Sequence, residues 1–177
     1  MSDAVGKALS RRTTLVGAAV ALAAGAAGVA SWKFGQRDMA PDVRYTLLDG
    51  RQAELKALRG KVVLVNFWAT SCSVCVEEMP AIVETDTKYR ARGYETLAIA
   101  MSYDPRPYVE RFVATRKLPF AVGIDSSGVL ARAFGDVRMT PTTFLIDKRG
   151  RIIKRYLGKP DFQALHGLIE RLLADAA

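Results

Sequence analysis

The chain has 177 residues, half of them hydrophobic, and its 26 basic and 18 acidic residues give a net charge of +8. That length suits one folded domain, and the composition excludes a disordered chain. Two cysteines and one histidine are too few for a four-ligand Cys/His zinc centre or a scaffold of several disulfides. Half of the net positive charge lies in residues 1–37, and the later basic residues are scattered among acidic ones, so nucleic acid is not an expected partner.

The first 40 residues predict an export signal or a membrane anchor followed by a linker. Residues 13–32 carry no charge and include eight Ala and three Gly, and as a helix they would span about 30 Å, the thickness of a bilayer core. Arg11 and Arg12 precede this stretch and resemble the paired arginines of a twin-arginine signal. We therefore expect a periplasmic protein that is either released by cleavage or held in the membrane through residues 13–32.

Residues 41–177 alternate strand and helix patterns, which predicts one α/β domain with a mixed sheet. Val62–Trp68 is a run of β-branched and aromatic residues, typical of a strand buried on both faces, and Pro80 removes one hydrogen bond from the helix that follows. In chain order the expected elements are strand Arg44–Leu48, a turn or short helix at Glu54–Arg59, strand Val62–Trp68, helix Cys72–Arg92, strand Thr96–Met101, helix Pro107–Lys117, strand Phe120–Ile124, helix Val129–Phe134, strands Thr142–Asp147 and Arg151–Leu157, and helix Asp161–Ala174.

Two thiols lie where the buried strand gives way to the long helix. Cys72 and Cys75 are three residues apart on the first helical turn, so their side chains share a face and can form a disulfide. Cys72 is nearer the helix N-terminus, where free N–H groups and the helix dipole stabilise a thiolate, whereas Cys75 is deeper and more shielded. Because disulfide exchange needs one exposed nucleophile and one resolving thiol, the spacing predicts a redox-active pair.

Other kinds of cysteine site have sequence signatures that differ from this motif. Haem attachment needs His directly after the second cysteine, where Val76 lies, and a peroxidatic cysteine has Thr three residues before it, where Ala69 lies. A purely structural disulfide remains an alternative, although a bridge around two residues constrains the unfolded chain little. A copper-binding protein that uses both thiolates and a nearby Met or His is the alternative from another functional class.

Several further segments share a pattern with known proteins over residues 42–174. They are Asp49-Gly50, Leu58–Thr70, the pair Cys72 and Cys75, Glu78–Pro80, Met139–Asp147 and Gly150. Together they resemble the thioredoxin superfamily, most closely its TlpA/ResA-like extracytoplasmic thiol–disulfide oxidoreductases. The resemblance implies a thioredoxin-like α/β fold, in which helices flank a mixed β-sheet, here preceded by the signal or anchor helix.

The resemblance assigns three catalytic residues. Cys72 would be the attacking thiolate, Cys75 the resolving thiol, and Glu78, one turn beyond Cys75, a proton acceptor near the disulfide. Cytosolic thioredoxins are similar but carry a buried Asp where Asn66 stands, and an amide cannot transfer a proton. The alternative for Glu78 is an ordinary exposed helix residue beside Glu77.

A second segment would bind the substrate. Met139, Thr140 and Pro141 would line the substrate surface, with a cis bond before Pro141 and the backbone of Thr140 free to bind an extended strand. Residues 103–119 match the strand-and-helix insertion of the TlpA-like group. His166, on the last helix, is expected at the surface.

The resemblance also implies an activity and its partners. The protein would be a disulfide reductase for exported client proteins with cysteine thiols or disulfides, such as apocytochromes or proteins with copper-site thiols, and an upstream membrane donor would supply its electrons. No cofactor and no metal are expected. A Sco-like copper carrier is the alternative function, although such carriers usually have one more residue between their cysteines and a His in reach.

Overall fold

The computed structural model describes residues 39–175, so the predicted signal or anchor lies outside the described residues. Within 39–175, no helix is long and apolar enough to cross a membrane. The strands are β1 (Arg44–Thr46), β2 (Gln52–Glu54), β3 (Val62–Trp68), β4 (Tyr94–Ala100), β5 (Ala121–Ile124), β6 (Thr142–Ile146) and β7 (Ile152–Leu157). The helices are α1 (Ser73–Tyr89), α2 (Arg106–Arg116), α3 (Val129–Ala133) and α4 (Phe162–Ala174), with 3₁₀ turns at Leu55–Leu58 and Arg90–Arg92.

Five strands form the central mixed sheet in the order β5-β4-β3-β6-β7. Strand β3 runs parallel to β4 and antiparallel to β6, and β4 runs parallel to β5. All seven residues of β3 are buried, as its continuous apolar pattern predicts. The observed α/β architecture is the expected one, and the predicted elements differ from the observed ones mainly at their ends.

The predicted turn at Glu54–Arg59 is corrected in part. Its first residue closes β2, which pairs antiparallel with β1 in a separate two-stranded sheet, and only the following four residues form a 3₁₀ turn. The turn between these strands uses Gly50 in the left-handed region at φ +85°, where a residue without a side chain is not strained. A strand of three residues is too short to show the alternation of apolar and polar residues that predicts a strand from sequence.

The two faces of β3 build two separate cores. Val62, Leu64 and Trp68 point toward one face, whereas Val65 and Phe67 point toward the other. The first face packs against buried side chains of three helices, namely Cys75, Met79, Ile82, Val109, Leu165 and Ile169. The second packs against α3 and the β1–β2 hairpin, through residues that include Tyr45, Leu55, Leu130, Ala131 and Phe134. A fully buried Val, Leu, Ile, Phe or Met side chain contributes about 1.5–3 kcal/mol to folding, so β3 is fixed from both sides.

The sheet register brings three loops to one edge. Phe67 lies opposite Thr142, the first residue of β6, and Trp68 lies opposite Ala100, the last residue of β4. The loop after β3 carries Cys72, so it meets both the loop before β6 and the loop after β4 at this edge. Functional groups from three distant parts of the sequence are therefore neighbours.

Candidate redox-active site

The cysteine pair lies at the start of α1 and is joined as a disulfide. Cys72 is the N-cap of the helix, 5.3 Å from Cys75 between Cα atoms, and its Sγ accepts the backbone N–H of Cys75 at 3.2 Å. Cys72 is half-buried, whereas Cys75 is completely buried. One sulfur is thus open to a partner and stabilised by a helix-end N–H group, and the other is shielded, which is the asymmetry that the spacing predicts.

The turn that leads into Cys72 is held by a carboxylate that sequence reasoning missed. Asp104, in the loop after β4, accepts the backbone N–H of Thr70 and the hydroxyl of the same residue, both at 2.6 Å. Asp104 is 4% exposed, and the Cys72 N–H donates to the carbonyl of Ala69 at 3.1 Å. The two bonds to Asp104 fix the backbone and side chain of Thr70, two residues before the half-buried Cys72. The signal for this contact is weak, because the partners are 34 residues apart.

Glu78 lies one turn beyond Cys75 on α1, and the structure rejects the alternative of an exposed helix residue. Its side chain is 0% exposed, and its Oε1 accepts an N–H of Asn66 at 3.0 Å. Asn66 donates to the hydroxyl of Thr143 on β6 as well, at 2.9 Å. Asn66 therefore orients Glu78 directly, a role that its position within a buried strand did not reveal.

The surroundings of Glu78 favour its protonated form. Burial raises the pKa of Glu78 from its ordinary value to about 7, while the hydrogen bond from Asn66 and the positive charge of Lys159 act in the opposite direction. Its second oxygen, Oε2, has no hydrogen-bond partner among the residues described, and neither has Oδ1 of Asn66. A carboxyl group with a pKa near neutrality and a free oxygen can both accept and release a proton at physiological pH.

The predicted substrate segment lies at the same edge of the sheet. The Thr140–Pro141 bond is cis, as the resemblance implies, and Met139 is 63% exposed. The carbonyl of Pro141 accepts the N–H of Gly158 at 2.8 Å, which ties the segment to the end of β7. The hydroxyl of Tyr103 lies 3.3 Å from Thr140 Oγ1, so the insertion after β4 contacts this segment too.

His166, which was expected at the surface, is only partly exposed. It is half-buried, its Nε2 lies 2.8 Å from Thr85 Oγ1, and its ring lies 5.4 Å from that of Tyr89. Thr85 is ten residues beyond Cys75 on α1, about 15 Å along the helix axis, so His166 is remote from the cysteines. Within the described residues, no group of three or more His, Cys, Asp or Glu side chains is arranged to hold a metal ion.

A family match, a related sequence and two solved structures all resemble this chain over most of its length. The redoxin family matches residues 35–168. The thiol–disulfide oxidoreductase ResA of Bacillus thuringiensis (strain Al Hakam) is 36% identical over 133 residues, which are 75% of this chain and 76% of that protein. A solution structure of a thioredoxin-like protein from Neisseria meningitidis has 37% identity and a TM-score of 0.73 over 80% of this chain and 93% of that one. A DsbE-type thiol:disulfide interchange protein from Chlorobium tepidum has 30% identity and a TM-score of 0.72, over 78% and 98% of the two chains.

Proposed function

The chain belongs to the redoxin family and is a thiol–disulfide oxidoreductase of the ResA/TlpA-like type, and we propose that it reduces disulfides of exported client proteins through Cys72 and Cys75. The observation that carries this proposal is the disulfide at the N-terminus of α1, with one sulfur accessible and the other buried beside Glu78. The reducing direction and the export rest on the TlpA/ResA-like motifs and on the uncharged stretch at residues 13–32.

The first step is the attack of the reduced protein on the client. The thiolate of Cys72 attacks one sulfur of the client disulfide, so a mixed disulfide forms and the second client sulfur leaves as a thiolate. The N–H of Cys75 at 3.2 Å and the other free N–H groups of the first helical turn stabilise the negative charge on Cys72 before the attack. The half-buried position of Cys72 leaves room for the client sulfur.

The second step releases the client. The thiol of Cys75 loses its proton and attacks the Cys72 sulfur of the mixed disulfide, which forms the Cys72–Cys75 bond and expels the client as a second thiolate. Cys75 is buried, so its proton needs an acceptor within the protein. Glu78 lies on the same face of α1 one turn away, and with a pKa near 7 it accepts this proton and later returns it to solvent.

The substrate segment orients the client during both steps. The backbone N–H and C=O groups of Thr140 make no backbone hydrogen bond within residues 39–175, so they are free to pair with an extended client strand. The exposed side chain of Met139 offers that strand an adaptable apolar contact. An upstream membrane donor then reduces the Cys72–Cys75 disulfide and closes the cycle.

Two measurements test the proposal, and a third tests its alternative. Reduction of insulin by the wild-type protein should be lost in Cys72→Ser, and activity that survives this change would contradict the mechanism. The reduction potential of the cysteine pair tests the direction of electron transfer. A value of about −270 mV is that of a reductant such as thioredoxin, whereas about −120 mV is that of a strong oxidant. Stoichiometric retention of Cu(I) with weak disulfide exchange would instead favour the copper carrier.

A further inference from the structure

Two cavities of about 250 and 330 Å³ adjoin the side chains of Phe112 and Arg116 on α2. The smaller one lies between α1 and α2, and the larger one lies between α2 and the loop after β3. The larger cavity is bordered by Thr70, two residues before Cys72, and the smaller one follows α1 away from it. We refer to both cavities together as the α1–α2 groove. Its apolar lining, besides Phe112, consists of Val76, Met79, Pro80, Val83 and Leu118.

The charges along the α1–α2 groove are positive and uncompensated. Arg111 and Arg116 line it, and no carboxylate lines either cavity. Within residues 39–175, neither arginine forms a salt bridge, and the guanidinium of Arg116 lies 5.7 Å from the ring centre of Phe112. On the same helix, Arg106 and Glu110 do pair, at 2.6 Å. The groove therefore offers two free cations beside an apolar surface.

The backbone of α1 lacks one helical hydrogen bond beside the same groove. Pro80 has no N–H, so the helical bond that residue 80 would donate to the carbonyl of Val76 is missing. Both residues line the groove.

We propose that the α1–α2 groove binds the client segment next to its reacting cysteine and selects segments that carry an acidic side chain beside an apolar one. This inference rests on the proposed function, because it is the reaction at Cys72 that brings a client chain to the end of the groove at Thr70. The apolar client side chain packs on Phe112 and Leu118, and the carboxylate pairs with Arg111 and Arg116. The groove thus adds selectivity to the contacts at Thr140.

The test uses two synthetic peptides whose cysteine is joined to glutathione as a mixed disulfide. They differ only next to the cysteine, where one has Leu-Glu and the other Leu-Lys. The second-order rate constant for reduction by the reduced protein should be about fivefold higher for the Glu peptide, and high salt should remove the difference. Arg116→Glu should reverse the preference, while Arg149→Glu, an equal charge change at an exposed position in the β6–β7 turn, should preserve it.

Each other outcome overturns a defined part of the account. Equal rates for both peptides, together with normal reduction of glutathione disulfide, would refute the groove as a client site and leave the proposed function intact. No reduction of either peptide or of glutathione disulfide would refute the proposed function itself. An equal slowing of both peptides by Arg116→Glu, or self-association that Arg116→Glu abolishes, would show that the groove serves another purpose.

Discussion

At the edge of the sheet where β3 ends, the carboxylate of Glu78 is buried with a single hydrogen bond, from Asn66, and its Oε2 has no partner in residues 39–175. At the opposite edge, where β6 ends, Asp147 is nearly as buried but is fully used. It accepts the N–H groups of Arg149 and Arg151 at 3.0 and 2.8 Å and the guanidinium of Arg151 at 2.7 Å. A buried carboxylate without enough partners is costly for folding, which agrees with the proposed proton transfer by Glu78, whereas Asp147 fixes a turn.

The largest expected difference between the two edges is in the pH dependence of stability. Burial raises the pKa of Glu78 to about 7, while the unfolded chain keeps the ordinary value of 4.5. Between pH 4.5 and 7, Glu78 is protonated in the folded protein but largely ionised in the unfolded chain. The free energy of unfolding therefore falls as the pH rises through this range, by on the order of 3 kcal/mol. Denaturant titrations of wild type and Glu78→Gln at several pH values measure it. The free energy of unfolding of wild type minus that of Glu78→Gln should fall with rising pH over this range. A difference that stays constant or rises with pH would contradict the raised pKa of Glu78.

A second prediction concerns the rate of client release. Glu78→Gln keeps an oxygen for the N–H of Asn66 but cannot accept a proton, so the release step should slow by about 10²-fold at pH 7. In wild type the rate should rise as the pH passes through about 7, because the carboxylate form of Glu78 becomes available. Stopped-flow decay of the mixed disulfide measures both effects. A Glu78→Gln variant with an unchanged rate and pH profile would exclude Glu78 as the acceptor.

The corresponding acid-to-amide change at Asp147, at the other end of the sheet, should affect stability without affecting activity. Asp147→Asn loses the charged bond to Arg151 and should lower the free energy of unfolding by about 2 kcal/mol. The rate of disulfide exchange should not change, because the β6–β7 turn lies at the far edge of the sheet. Guanidinium titration and the insulin assay on the same preparation test this pair of outcomes. Loss of exchange activity without loss of stability would break the comparison.

The smallest expected effect on stability comes from the bonds between Thr70 and Asp104, near the cysteines. Asp104 resembles Asp147 more than Glu78, since both of its oxygens accept hydrogen bonds from Thr70. Thr70→Val removes one of these bonds and should lower the free energy of unfolding by about 1 kcal/mol, with the pH profile of exchange unchanged. A shift of that profile would show that Asp104 takes part in proton transfer. Thr87→Val, which removes an exposed hydroxyl bond on α1, is the matched control.

The parts of the fold that could be predicted are those with a strong local pattern. The apolar run at Val62–Trp68 and the Cys72–Cys75 spacing specify a central strand, a helix start and a disulfide without any knowledge of other strands. Strand β2 has only three residues and shows no period. His166 is only partly exposed because it lies four residues after Phe162 and three before Ile169, beside the apolar stripe of α4.

The partners of the site residues could not be predicted because they are distant in sequence. Glu78 meets Asn66 across 12 residues and Thr70 meets Asp104 across 34, and no local period records which strands become neighbours. The cost of burying Glu78 is likewise a property of the assembled core, because the helix pattern alone is equally consistent with an exposed residue beside Glu77. The chemistry of the site therefore emerges only when the sheet order is known.

The central claim is that Cys72 attacks and Cys75 resolves, and trapping of the mixed disulfide tests it most directly. Reduced Cys75→Ser, mixed with a peptide that contains one disulfide, should accumulate a covalent adduct that mass spectrometry maps to Cys72. Cys72→Ser should form little adduct, because the remaining sulfur of Cys75 is completely buried. Equal adduct formation by the two variants, or adduct on Cys75 alone, would contradict the assignment of the two cysteines.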